Sequence, residues 1–228
     1  MNKRILSYLM YVVTFVVVIY YALNFTGVFV MSSNPTIANE PNIPFNSRSI
    51  TTNLKEPNRG DFIVYKFNDQ YTGDHSRIHR LVGVENDTIE IKNGIAYLNG
   101  KNFDVDLNLV HFYKTLKDNY SKIQETDLEM DYLIIKPLNS LNIKLLVKDN
   151  MVPQLNFKVD RLIEDKLIVD EDISNKYNNP WNKDNFGPVI IPKGKVFVLG
   201  DNRDNTLDSR VEGFINREDI TGVLVKIY

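Results

Sequence analysis

The sequence predicts a mainly β protein held behind one N-terminal transmembrane helix. Three observations carry that prediction. An apolar run extends from Ile5 to Phe25. Short segments rich in Val, Ile, Phe and Tyr follow it, and turn residues bound them. Between them lies a stretch of different composition, rich in Asn, Lys and Asp, which reads as an α+β insertion.

The helix comes first. Lys3 and Arg4 precede ILSYLMYVVTFVVVIYYALNF, and no charged residue occurs from Ile5 to Asn39. About 20 apolar residues span a bilayer core. Tyr8, Tyr11, Tyr20 and Tyr21 stand towards the two ends, where amphipathic rings suit the interface. The positive-inside rule puts residues 1–4 in the cytoplasm and the following domain outside. A cleaved secretory signal starts in the same way. Its apolar core is only about 7–15 residues, and no small-x-small cleavage site follows here. No second run of that length exists, so the sequence predicts a single crossing.

The strand segments are DFIVYKF (Asp61–Phe67), IHRLVGV (Ile78–Val84), DTIEIKNGIAYLNG (Asp87–Gly100), KLLVK (Lys144–Lys148), KVFVLGD (Lys195–Asp201) and the closing ITGVLVKIY. Asn93-Gly94 supplies a positive-φ hairpin turn and Asn99-Gly100 the next. Such spacing suggests a sandwich or barrel. The expected organisation is a transmembrane helix at 5–25, one β domain formed by 26–100 and 187–228, and an insertion at 101–186. The insertion holds a predicted helix, Asp118–Met130, with Asp118 as its N-cap. A packed second lobe is the other reading of that stretch.

Composition excludes several chemistries. Lys and Arg number 27 against 29 Asp and Glu, so there is no basic footprint for nucleic acid. Cysteine is absent, which removes disulfides, thiol catalysis and cysteine metal sites. A covalent mechanism would need Ser, Thr or Lys. MSSNPT (Met31–Thr36) follows the helix and places Ser32 near the bilayer surface, in what reads as a short polar turn. Taken alone it is ordinary turn chemistry. Of three histidines, His79 lies in a strand, sharing a face with Leu81 and opposing Ile78. His75 falls in a polar loop and reads as solvated. His111 lies in the insertion and reads as structural. GDNRDNTLDSR (Gly200–Arg210) follows an apolar strand and suits a hydrogen-bonded loop that orders a site. A calcium loop built on Asp201, Asp204 and Asp208 competes. The EF-hand pattern is not met, and Arg203 and Arg210 oppose a cation cage.

In this order, the anchor, Met31–Thr36, Asn58–Gly100 and Asn185–Ile215 resemble the type I signal peptidases, membrane-bound serine proteases of peptidase family S26. Ser32-Ser33-Asn34-Pro35-Thr36 resembles the family's Ser-Met-x-Pro-Thr. RGDFIVYKF resembles its Arg-Gly-Asp strand, and IHRLVGVENDTIEIKNGIAYLNG its Lys-Arg box with the hairpin that follows. VFVLGDNRDNTLDSR resembles its Gly-Asp-Asn box, with Thr206 in place of Ser. Two positions depart from the pattern. His79 stands where the bacterial family has its general-base Lys, and Val30 stands where a Ser or Gly often precedes the nucleophile.

The resemblance implies a signal-peptidase-type β-barrel or sheet domain in the cell membrane. It implies cleavage of signal peptides from exported preproteins by a Ser32–His79 dyad, and partners in the lipid bilayer and the secretion translocon. It implies no nucleic acid, no cofactor and no metal. Thr206 would orient the base. Asp208 with Arg210 would form an ion pair behind it, with Asp201 also supporting the site. The Ser32 N–H would serve the oxyanion. Histidine starts near ~6.5 and needs less tuning than lysine to act as a base. Phe29, Val30 and Met31 would give an apolar surface near Ser32, extended by Ile43, Pro44 and Phe45. A degenerate, non-catalytic homologue acting as a membrane-bound accessory protein is the alternative. A self-cleaving repressor-type peptidase would need a DNA-binding segment and no anchor.

Overall fold

The computed structural model describes residues 3–69, 71–125 and 135–228. Helix α1 (Lys3–Phe25) contains a 22-residue stretch, Arg4–Phe25, of mean hydropathy 2.1, long and apolar enough to cross a membrane. Most of its apolar side chains are exposed, and none of its membrane-length window is buried among the described residues. Two of its polar side chains bond to the helix itself: Thr14 donates to the Met10 carbonyl at 2.9 Å and Asn24 to that of Tyr20 at 3.0 Å. In hydrocarbon that self-sufficiency is required, because no water is there to bond them.

The strands that follow, in chain order, are β1 (Val30–Ser33), β2 (Arg48–Thr52), β3 (Phe62–Asp69), β4 (Gly73–Val84), β5 (Thr88–Lys92), β6 (Ile95–Leu98), β7 (Lys101–Asn102), β8 (Val110–Leu116), β9 (Ile135–Pro137), β10 (Asn142–Lys148), β11 (Asp160–Arg161), β12 (Phe186–Ile190), β13 (Lys195–Leu199), β14 (Ile215–Asn216) and β15 (Ile220–Ile227). Short helices α2 (Tyr120–Glu125), α3 (Glu171–Tyr177) and α4 (Ser209–Glu212) lie among them.

A seven-stranded antiparallel sheet runs β1-β2-β15-β3-β4-β13-β14. It is open, with β1 and β14 at its edges, so the sheet alternative of the expected fold holds and the barrel does not. A four-stranded sheet, β12-β5-β6-β7, packs beside it, and a second, β11-β8-β10-β9, is built from residues 110–161. The apolar runs of β4 and β13 have a physical reason. Val82, Phe197 and Leu199 join one buried cluster with Ile89, Ile91 and Phe186, while Leu81, Val196 and Val198 join another with Ile63, Tyr65 and Val223. Alternate residues thus face two cores, and a strand covered on both faces reads as continuously apolar. The third sheet has its own cluster around Tyr113, Leu145 and Val147.

The Asn93-Gly94 turn is as the sequence predicts, with φ of 49° and 73° joining the Lys92↔Ile95 pair. Three local expectations are corrected. The polar TGDHSR stretch is largely strand, because Asp69 accepts from Tyr71 N, Thr72 N and Thr72 Oγ1, which folds the turn tightly and lets β4 begin at Gly73. Asp118 does not cap a helix. It sits inside a 3-10 turn, Lys117–Asn119, which leads into α2. The remainder of the predicted helix, 126–130, lies outside the described residues. Ser32 stands in strand β1 and not in a turn, because its register with β2 (Ser32↔Ser49) holds the chain extended up to Ser33.

Candidate active site

Strand β4 positions His79, which pairs with Ile63 of β3 and is 3% exposed. Strand alternation puts its ring on the Leu81 side, amid a mostly apolar core. Two hydroxyls hold the ring. Tyr65 Oη lies 2.8 Å from Nδ1, and Thr206 Oγ1 lies 3.1 Å from Nε2. Burial lowers the His79 pKa to about 4, against an opposing pull from Asp208 and with a smaller push from Arg77 and Arg210. The imidazole is therefore neutral at neutral pH, the form a general base requires.

Thr206 is delivered by the loop after β13. Gly200 starts that loop, and the local packing needs a glycine. An added Cβ would meet the Thr206 side chain and stand 2.6 Å from the Ala38 carbonyl. Asp208 accepts from Gly200 N at 3.1 Å, caps α4 and pairs with Arg210 at 2.9 Å. Burial pushes the Asp208 carboxyl up, but the Arg210 guanidinium outweighs it and the net shift is downward. Arg210 also donates to the Arg203 carbonyl at 2.7 Å, which ties the loop's two ends. Asp201 is held by Arg80 at 2.7 Å. Asp204 is held by Lys183 at 2.5 Å. All three aspartates of the calcium reading are thus spent on protein cations, which leaves that reading without free ligands.

Ser32 lies on β1, exposed, with Oγ 2.9 Å from Ser49 Oγ. Among the described residues no hydrogen bond links Ser32 to His79. The Ser32 carbonyl faces β2, 3.5 Å from Ser49 Oγ. In a strand the N–H points to the same side as the carbonyl of its residue. The expected oxyanion donor is therefore turned into the sheet in this conformation.

The segment after Ser32 leads to the histidine. Asn34 Nδ2 donates to the carbonyls of Thr36, Ile43 and Pro44, closing a loop. That loop docks on both sides of His79. Asn39 Nδ2 donates to the carbonyl of Ile78, next to His79, at 2.7 Å. The Ala38 carbonyl accepts from Asn202 N at 3.0 Å. Asn42 donates to Asp201 at 2.5 Å.

The other histidines serve elsewhere. His75 is not solvated freely, since its Nδ1 lies 2.9 Å from the Gly73 carbonyl and its Nε2 accepts from Arg77 at 3.0 Å. His111 is buried and bound to Asp149 at 2.8 Å within the third sheet. Phe29, Met31 and Phe45 are 45%, 47% and 47% exposed, and Pro44 is exposed as well. Ile43 does not extend the expected apolar surface. It is fully buried, because the Asn34 bonds fold its carbonyl inward.

Sequence reading did not find Tyr65, Ser49 or Asn39. A signal for Tyr65 was present. Strand alternation places it on the Ile63 face, one pleat from the residue paired with His79.

Against known proteins, a family model described as "Signal peptidase, peptidase S26" matches residues 1–228. Similar curated relatives include proteins named Signal peptidase I. One, from Buchnera aphidicola of Schizaphis graminum, is 32% identical over 80% of this chain and 56% of its own length. Another, from Aquifex aeolicus, is 33% identical over 77% of this chain and 64% of its own. The chain spans little more than half the length of the first relatives it matches, 57% and 56%. A solved signal peptidase I from Enterococcus faecalis superposes with a TM-score of 0.35 at 19% identity, covering 75% of this chain and 98% of that one.

Proposed function

The chain belongs to the signal peptidase family, peptidase S26, and from that premise we propose that it is a membrane-bound serine endopeptidase that removes signal peptides from exported preproteins, with Ser32 as nucleophile and His79 as general base. The observation that carries the assignment is the docking of the post-Ser32 loop against Ile78 and Asn202, the two flanks of the His79–Thr206 pair. A neutral buried imidazole and an exposed hydroxyl are then joined by a short, tied segment.

The steps follow from that arrangement. Ser32 turns from Ser49 towards His79 when substrate lies along β1. His79 Nε2 takes the hydroxyl proton as Oγ attacks the scissile carbonyl. The imidazolium then gives that proton to the leaving amine, which departs with the mature protein. Water repeats the sequence on the acyl-enzyme and frees Ser32. Backbone N–H groups stabilise the oxyanion after β1 adjusts.

Helix α1 sets where this happens. Lys3 and Arg4 stay in the cytoplasm and the β domain faces outward. Ser32, seven residues past Phe25, then meets signal peptides where they leave the bilayer. The exposed Phe29, Met31 and Phe45 rest on the lipid surface. Substrates arrive from the secretion translocon.

Preprotein cleavage by the full chain in detergent tests the assignment. Ser32→Ala and His79→Ala should each lower it by at least about 10³-fold. Full activity in either variant overturns it. A serine-acylating inhibitor should label Ser32. Absence of both labelling and cleavage in the unaltered chain supports the non-catalytic accessory role instead.

A further inference from the structure

We propose that Tyr65 is a positioning residue for the base: its hydroxyl grips His79 Nδ1 and so dedicates Nε2 to proton exchange with Ser32. This rests on the reading of His79 as the general base.

A buried histidine needs partners wherever it lies, so one hydrogen bond alone proves little. The arrangement of the row says more. Tyr65, His79 and Thr206 form a polar line across a face otherwise built from Ile63, Leu81, Val198 and Val223. The line has a direction. Tyr65 is 1% exposed at its inner end, and half-buried Thr206 at its outer end lies close to the loop that follows Ser32. With Nδ1 occupied from the inside, only Nε2 faces the outer end.

Among the described residues no carboxylate hydrogen-bonds the ring. Asp208 acts on it only through space, and Asp208 is itself bound to Arg210. The Nδ1 position that a carboxylate fills in Ser-His-Asp triads is here held by a neutral phenol. Burial pushes the Tyr65 hydroxyl well above its ordinary pKa, with Asp208 and Glu212 adding to the rise and Arg77 opposing it. It stays protonated through the working range.

A hydroxyl differs from a carboxylate in one useful way, since it both donates and accepts. For Nε2 to take the Ser32 proton, the neutral ring must carry its hydrogen on Nδ1, so Tyr65 accepts from Nδ1–H both before and after the transfer. Thr206 donates to the bare Nε2 of the neutral ring and accepts from Nε2–H in the imidazolium. The Thr206 hydroxyl can therefore follow the transferred proton by rotating its O–H bond while every heavy atom stays in place. The ring keeps its orientation across the proton transfer.

Tyr65→Phe in the full chain in detergent tests this, since it removes one oxygen and keeps the packed ring. The expected result is a kcat lower by about tenfold, the equivalent of one neutral hydrogen bond. KM should stay within about twofold. The acid limb of kcat/KM should be displaced, because the lost bond was made to the group that titrates. The ring ¹⁵N spectrum of His79 should change at Nδ1 more than at Nε2. Unchanged kcat with an unmoved acid limb overturns the proposal. So does a loss explained wholly by less folded protein in a thermal scan. His79→Ala separates the two readings. If that variant stays active, the base assignment itself fails; if it is inactive while Tyr65→Phe behaves as the unaltered chain, only the role of Tyr65 fails.

Discussion

Ser32 and His79 sit in opposite surroundings. Ser32 is exposed on an edge strand, next to exposed Met31, and among the described residues its hydroxyl has a single side-chain partner, Ser49. His79 is 3% exposed on an inner strand, with both ring nitrogens engaged and the strand covered on both faces. The Ser32 side is open. The His79 side is over-determined: moving His79 would break bonds to β3 and to the Gly200–Arg210 loop together. Under the proposed roles, such a division puts the rigid half where protonation state must be controlled and the open half where a substrate must be admitted.

The sharpest way to break the base's side is to remove its charge support. Asp208→Ala should leave Arg210 buried without its partner and lower stability by about 3–5 kcal/mol, read by denaturant unfolding of the full chain in detergent. Gly200→Ala should act next, forcing Thr206 or the Ala38 backbone to yield. Overpacking of this kind costs about 1–3 kcal/mol. Cleavage should fall further than the unfolding free energy alone accounts for, because Thr206 then leaves Nε2.

The contrast also sets a pH profile. In the proposed dyad only neutral His79 would accept the Ser32 proton, and its folded pKa of about 4 lies below the ordinary 6.5. Cleavage should therefore hold nearly constant down to pH 5.5, where a histidine at its ordinary value would already be about tenfold depleted in neutral form. An acid limb near 6.5 would mean that the ring is more hydrated than its burial implies. Stability has the same sign. The depressed folded value favours the folded chain fully above about 6.5, and that contribution fades as pH falls towards 4. His111, lowered chiefly by burial against the pull of Asp149, adds in the same direction.

The smallest effect belongs to the open side. Ser49→Ala removes the hydroxyl that bonds Ser32 and should change kcat by less than about threefold, well within one neutral hydrogen bond. A larger loss in the same cleavage assay would show that Ser49 holds Ser32 for attack and not only at rest.

Much of this was legible in the sequence. The anchor, the Asn-Gly hairpins and the apolar strands announced themselves through run length, positive-φ residues and β-branched composition. The motifs that hold Ser32, His79, Thr206 and Asp208 could be picked out because each is local, and the structure brings His79 and Thr206 together. What stayed hidden was long-range. β2 and β8 carry polar alternation, RSITT and VHFYKTL, which looks like loop until a neighbouring strand supplies the register. Tyr65 looked like any strand aromatic, and its role depends on a partner fourteen residues away across a hairpin. The open sheet could not be told from a barrel because the edge of β1 carries no breaker residue. Ile43 was misread because the fold of its loop is set by the Asn34 side chain and not by its own hydropathy.

Trp181 is the chain's single tryptophan. Its ring centroid lies 4.8 Å from that of Phe186 and 5.8 Å from that of Tyr177, in the aromatic cluster where the segment after α3 returns to the core. Ultraviolet emission from the protein thus has one principal source, packed against the buried cluster that holds Phe186 and Phe197. A red shift in that emission reports water reaching this cluster, and it can be followed in turbid vesicles where circular dichroism fails. The molecule carries its own fluorescent gauge of whether a damaged site belongs to an intact domain.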